Sequence, residues 1–412
     1  MVQSSAELVV IGAGQAALTL AETLRRAGDK RKILLLGEEL HPPYQRPPLS
    51  KGYLSGKMQA ERLWLKPRAW YLENDIALVT GCRVSAIDRQ ARMVLCDDGR
   101  SFGFQTLVIA TGSRPRAFPR ELGGALRGVH TIRGLDDIDR LSPDLARARR
   151  LVVIGGGYIG LEAAAISRAR GIEVTLVEAG PRILARVACE TTASMVRNLH
   201  NAKGVTLREG IGVDRIDADR VDTVSEVHLS DGSVCPADAV IVGIGALAND
   251  ELARDAGLDC QPTKGGGVLV DPFCCTSDPA IYAIGDVAAS AISGRVMRLE
   301  SVQNACDQAR ALANTLLGTR VAYAPMPWFW SDQYDMKLQI AGLNVGADST
   351  VFRPGPKSET GSVWYFSGSK LVAVDALSDP RAYMTGKRWL EQGVSPCADW
   401  LSKPEADLKA AV

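Results

Sequence analysis

Two glycine-rich turns, each followed at a distance by an acid, are the residues of this sequence best placed to do chemistry. Gly12 and Gly14 follow the apolar run Leu8 to Ile11, Ala17 stands where the motif needs a small residue, and Glu38 closes the next apolar run. Gly155, Gly157 and Gly160 repeat the pattern after Leu151 to Ile154, and Glu178 ends the strand that follows. The first glycine permits a sharp turn, the second lets backbone approach a pyrophosphate at a helix N-terminus, and the third keeps helix and strand close. The acid then accepts hydrogen bonds from ribose hydroxyls. A glycine triplet alone is weak evidence, but strand, turn, helix, strand and acid in order, twice, predicts two dinucleotide sites.

Two nicotinamides in one chain have no redox chemistry to share, whereas FAD in the first unit and NADH in the second can exchange a hydride. Glu178 would repel a ribose phosphate, which favours NADH over NADPH, and Arg182 four residues later weakens that discrimination. Glu162 lies two residues after Gly160. There it is either an acid complementing the helix dipole or a group facing the nicotinamide or flavin. Arg46 and Lys51 sit on a segment stiffened by Pro42, Pro43, Pro47 and Pro48, with a helix able to begin around Leu49. They are either solvated charge or cations presented to a phosphate or an electron-rich ring. Asp286 ends the apolar run of 278–288, where a carboxylate can bind a ribityl hydroxyl, and 298–318 reads as an amphipathic helix.

These residues need a scaffold, and the bulk numbers allow one. The 412 residues, 46% hydrophobic and 23% charged, suffice for two or three domains with sizeable cores. A formal charge of +1 gives no global field for nucleic acid or an anionic membrane. No apolar run approaches the roughly 20 residues that span a bilayer, and the first strand starts too early for a leader, so the expected location is the cytoplasm. The nine cysteines form no CxxC, and the four histidines have no second ligand at useful spacing, so no metal is expected. The expected organisation is 1–111 and 247–325 for FAD, 112–246 for NADH, and 326–412, rich in Trp328, Phe329, Trp330 and Tyr334, as a small α+β domain.

The strings GAGQAA (12–17), PYQRPPLSK (43–51), ATGSRPR (110–116), GGGYIGLE (155–162), TSDPAIYAIGDVA (276–288), ESVQNACDQAR (300–310) and PWFWSDQYDMKLQIAG (327–342) run along nearly the whole chain. Through them the sequence resembles the FAD-dependent, NADH-using ferredoxin reductases of bacterial oxygenase systems, the putidaredoxin reductase type within the glutathione-reductase-like flavoproteins. The resemblance implies an α/β fold with two Rossmann-like domains and a C-terminal α+β domain. It implies Lys51 and Glu162 facing each other near flavin N5, Asp286 on the ribityl chain, Glu300 near the nicotinamide and Trp330 against the isoalloxazine. Thr111, Val287 and Ile159 are further cofactor contacts by their place in the matching strings. Disulfide reductases and NADH peroxidases of this group carry cysteine beside the flavin; this chain has Leu49, Ser50, Lys51 and Gly52 there.

The implied reaction is hydride transfer from NADH to N5, then two single-electron transfers to a [2Fe–2S] ferredoxin that serves a haem monooxygenase or a Rieske oxygenase. Arg295, Arg298, Arg310 and Lys337 are candidate rim residues for the acidic ferredoxin, and a monomer is expected. Two other readings stay open: an NADH oxidase or quinone-type reductase, and a flavoprotein whose assembly responds to NADH.

Overall fold

Residues 4–219, 222–263, 265–403 and 407–408 are described by the structure, a computed structural model. They form two compact units, each discontinuous in sequence.

The first unit comprises 1–45, 59–114 and 246–325. Its centre is a parallel sheet in which Ser4–Ile11 lies between Ile33–Leu36 and Ser101–Ile109, with Ile76–Val79 outside the former and Ile281–Ala283 pairing with the latter. Parallel strands are covered on both faces, so they are written as unbroken apolar runs; all four residues of Ile33–Leu36 are buried. The helices Gln15–Arg26 and Val302–Leu316 share one core with Leu8, Val10 and Leu35. The other face packs on an antiparallel extension, Val84–Asp88 and Met93–Cys96. Asp97, Asp98 and Gly99 turn the chain there, with Gly99 at φ +83°. Cys82 and Cys96 are free buried thiols 3.2 Å apart, and burial pushes the Cys96 thiol up to about 12.

The second unit comprises 46–58, 115–245 and 326–412. A five-stranded parallel sheet runs in the order Thr206–Glu209, Glu173–Glu178, Arg150–Ile154, Ala239–Val242, Val129–His130. The helix Tyr158–Ala169 packs on it with Leu161, Ala163 and Ala164 fully buried. From 328 onward five antiparallel strands follow, ordered Trp328–Gln333, Met336–Gly342, Lys370–Leu377, Gly361–Ser367, Ser349–Pro354. The helix Pro380–Gln392 lies on this sheet, started by Asp379, whose carboxylate accepts the Ala382 N–H at 3.0 Å. Trp364 and Trp389 are fully buried between them, ring centroids 5.4 Å apart.

The sequence allowed a helix from Leu49. The chain instead makes a single 3-10 turn over Pro47–Ser50 and then a series of tight turns. Pro47 and Pro48 fit the opening of that turn, where no N–H is needed, and Lys51 leaves it at φ −136°, ψ −109°, outside helical geometry.

Asp375 is buried on Lys370–Leu377 and accepts hydrogen bonds from Thr192 Oγ1 at 2.7 Å and from the Tyr365 hydroxyl. Burial pushes its carboxyl up to about 6 despite these donors. A folded-state value above the unfolded one means the native chain binds the proton more tightly, so this residue's contribution falls as pH rises from about 4 to about 6. Asp375→Asn is therefore expected to raise Tm relative to the parent chain at about pH 7, and the gain should vanish at about pH 4. Paired thermal melts at the two pH values check this.

Candidate cofactor cradles and a buried ion pair

In both glycine turns the first glycine is demanded by the protein and the second is not. Gly12 and Gly155 have φ of +107° and +109°, and a Cβ on either would lie 2.2 Å from Ala110 O or 2.3 Å from Gly243 O. Gly14 and Gly157 are extended, and a Cβ there would meet nothing within 4 Å. Each begins a helix whose N-cap makes no side-chain hydrogen bond, so the first-turn N–H groups have no cap from it. Gly160 keeps helix and strand together, since its Cβ would lie 2.1 Å from Gly155 O. Ala17 is fully buried at the matching place in the first unit.

The two acids differ. Glu178 accepts the N–H groups of Gly156 and Gly180, one on each carboxylate oxygen, both at 2.6 Å. That anchors the acid beside the turn. Arg182 is occupied by the Ala188 carbonyl at 2.7 Å and by Glu190 at 3.2 Å. Glu38 is exposed, 3.7 Å from an equally exposed Arg83. Ile159 is 45% exposed in the first turn of its helix.

Elsewhere in the first unit, Thr111 and Asn249 are tied reciprocally: Thr111 Oγ1 donates to Asn249 O at 2.7 Å, and Asn249 Nδ2 to Thr111 O at 2.9 Å. Asp286 lies in the short turn Gly285–Val287 and accepts from Ser113 Oγ at 2.9 Å. The Val287 side chain is fully buried in the core. Arg298 donates to Asp286 O at 2.7 Å and pairs with Glu300 at 2.8 Å. Its side chain is only 9% exposed, which corrects its reading as a rim residue for a partner: the two acceptors draw it inward.

The second unit brings Lys51 and Glu162 together, Nζ to Oε2, at 2.6 Å. Glu162 is 3% exposed and the Lys51 side chain 21%. Ser50 Oγ donates to the same carboxylate oxygen at 2.6 Å, and Ser331 Oγ to the other at 2.7 Å. Arg46 opens this segment and donates to Arg133 O at 2.9 Å. On the strand Trp328–Gln333, Ser331 and Gln333 are buried, whereas Trp330 alternates to the other face and lies 5.5 Å from Trp328.

Residues 6–309 match the pyridine nucleotide-disulphide oxidoreductase family and residues 328–412 match a reductase C-terminal family. Rhodocoxin reductase of Rhodococcus erythropolis is 40% identical over 407 residues, covering 98% of this chain and 94% of that protein. The putidaredoxin reductase in a crystal structure of its covalent complex with putidaredoxin superposes with a TM-score of 0.93 at 36% identity, covering 99% of this chain and 98% of that one. The ferredoxin reductase for the CYP199A2 system of Rhodopseudomonas palustris also gives 0.93, at 38% identity, covering 98% and 100%. This chain belongs to the putidaredoxin-reductase-type ferredoxin reductases.

FAD and NADH are the cofactors of this reductase, and the two cradles fit them. Each offers free helix-terminal N–H groups beside a glycine whose missing Cβ leaves room for a pyrophosphate. Ser50, Ser331, Ser113 and Asn249 were not singled out from the sequence. For Ser331 a signal existed, because period-2 alternation from Trp330 places a small polar residue on the inward face of the strand.

Of the four histidines, expected to have no second ligand near them, His228 does have carboxylate neighbours. His228 Nε2 lies 2.9 Å from Asp217, brought across by antiparallel pairing of Val213–Ala218 with Val224–Leu229, and 3.0 Å from Glu226, two residues back on its own strand and so on the same face. Arg215 stands 3.2 Å from the same nitrogen and supplies a cation to the group. Among the described residues no helix is long and apolar enough to cross a membrane.

Glu178→Ala is expected to lower kcat/KM for NADH by roughly tenfold and to narrow the preference over NADPH. Steady-state kinetics with both nucleotides checks it; an unchanged NADH/NADPH ratio counts against this role.

Proposed function

We propose that the first unit holds FAD through Gly12, Gly14, Ala17, Glu38, Thr111, Asp286 and the Val287 backbone. The second holds NADH through Gly155, Gly157, Ile159, Gly160 and Glu178. The reaction is electron transfer from NADH through FAD to a [2Fe–2S] ferredoxin of an oxygenase system, and we place a haem monooxygenase or a Rieske oxygenase at its end. Bound FAD supplies the conversion of a two-electron hydride donor into single-electron transfers. The observation that carries the residue assignment is the buried Lys51–Glu162 pair, 2.6 Å long. A cation fixed by a buried carboxylate, on a segment without cysteine, suits stabilisation of negative charge on a reduced ring and not thiol chemistry.

In this reading Lys51 balances charge, Glu162 and Ser50 hold Lys51 and its turn in place, and the uncapped helix ends bind the pyrophosphates. Glu300, held by Arg298, borders the nicotinamide, and Trp330 covers the flavin. Arg46 stiffens the entry to the Lys51 segment through Arg133 O. The exposed Arg295, Arg310 and Lys337 remain as rim residues for an acidic ferredoxin, and the working unit is a monomer.

Anaerobic stopped flow tests the assignment. NADH is expected to bleach the flavin rapidly, and oxidised [2Fe–2S] ferredoxin to restore it. Lys51→Ala should slow the bleaching by about tenfold or more. An unchanged rate removes Lys51 from the mechanism, and restoration by oxygen or quinone but not by ferredoxin overturns the acceptor.

A further inference from the structure

Glu162 is the end of a buried hydrogen-bonded chain as well as half of an ion pair. Ser331 Oγ, which donates to Glu162 Oε1 at 2.7 Å, accepts from Gln333 Nε2 at 3.2 Å. Gln333 Oε1 in turn faces His200 Nε2 at 2.9 Å. Ser331, Gln333 and His200 are each fully buried, on the strand Trp328–Gln333 and the helix Glu190–Ala202.

The chain has one consistent polarity. A carboxylate can only accept, so Ser331 must spend its single proton on Glu162 and take its own hydrogen bond from the Gln333 amide. That turns Oε1 of Gln333 toward His200, which must then carry its proton on Nε2. The opposite amide orientation would pull the Ser331 proton away and leave a buried carboxylate oxygen without a donor. His200 Nδ1 has no partner, which suits the neutral ring with a bare Nδ1 and not an imidazolium with a second buried N–H. Burial also holds the His200 pKa down, and its ring packs edge-on against Tyr334, centroids 5.3 Å apart.

We propose that His200 is a positioning residue for Glu162, acting through Gln333 and Ser331: its Nε2–H sets the direction of a three-link donor chain that fixes one carboxylate oxygen, so that the other is held against Lys51. The inference rests on the proposed role of Lys51 and Glu162 at the flavin. His200 touches neither of those residues, and its effect passes only through the amide and the hydroxyl.

The experiment uses the FAD-bound reductase, NADH and anaerobic stopped flow at saturating NADH, with flavin content and Tm recorded for each variant. His200→Leu and Gln333→Leu, which break the chain, and Ser331→Ala, which strips the donor from Oε1, are each expected to slow flavin reduction roughly fivefold or more with the NADH Kd unchanged. His200→Gln puts an amide N–H where Nε2–H stands and is expected to recover most of the rate. Parent-like rates in His200→Leu and Gln333→Leu overturn the proposal. So does a His200→Gln variant as slow as His200→Leu, because the ring's packing would then be what matters. If His200→Leu fails to fold, Ser331→Ala decides: a parent-like rate overturns the chain. Lys51→Ala run beside them separates the two claims. A slow Lys51→Ala with fast relay variants sinks only the relay, whereas a parent-like Lys51→Ala sinks the reading of the ion pair itself.

Discussion

A carboxylate taken out of water must be met by donors, and Glu162 is the place where this chain accepts that constraint. Removing a partner from a buried ion pair typically costs about 3–5 kcal/mol, whereas an exposed pair such as Arg140–Asp137 contributes on the order of 1 kcal/mol or less. Glu162 stands on the helix Tyr158–Ala169 and draws its donors from two other stretches of sequence, Ser50 with Lys51 and Ser331. The proline-rich entry to Lys51 follows from this. A lysine on a loose loop would lose more conformational entropy in reaching the acid than one delivered by a turn that Pro47 and Pro48 already fix.

The C-terminal sheet is bound into the same requirement. Its first strand turns Ser331 and Gln333 inward, and a later one supplies Asp375 to Thr192 and Tyr365. Both contacts are polar and buried, so each fixes a register more sharply than apolar packing alone would. The apolar part of that region, Trp364 against Trp389, gives bulk cohesion, and the hydrogen bonds decide which residue meets which.

The sequence revealed the parts of this arrangement that are local. Glycine turns, apolar parallel strands and the acids closing them are written within about 30 residues each, because a βαβ half-unit is built from neighbours. The C-terminal aromatics and strand alternation were equally local. Lys51 and Glu162 are 111 residues apart, and their approach was implied only by resemblance, since no periodicity links a turn to a distant helix. Alternation could place Ser331 on the inward face of its strand, but its acceptor 169 residues away and the meeting of His200 with Gln333, 133 residues apart, were invisible for the same reason. His228 was misjudged because strand pairing brings Asp217 to it and period-2 alternation on its own strand adds Glu226, and Arg298 because a basic residue reads as solvated until its buried acceptors are known.

The unequal glycines of the two turns have a consequence for relatives of this chain. Gly12 and Gly155 hold left-handed backbone against a carbonyl, so their loss would harm folding whether or not a nucleotide ever binds. Gly14, at φ −107°, and Gly157, at φ −82°, ask nothing of the polypeptide itself. A duplicated gene product that kept this architecture but had abandoned its redox work would drift first at those two positions, gaining side chains that leave the scaffold intact and fill the vacated cleft. The second position of the turn therefore dates the end of cofactor use, while the first records only the survival of the fold.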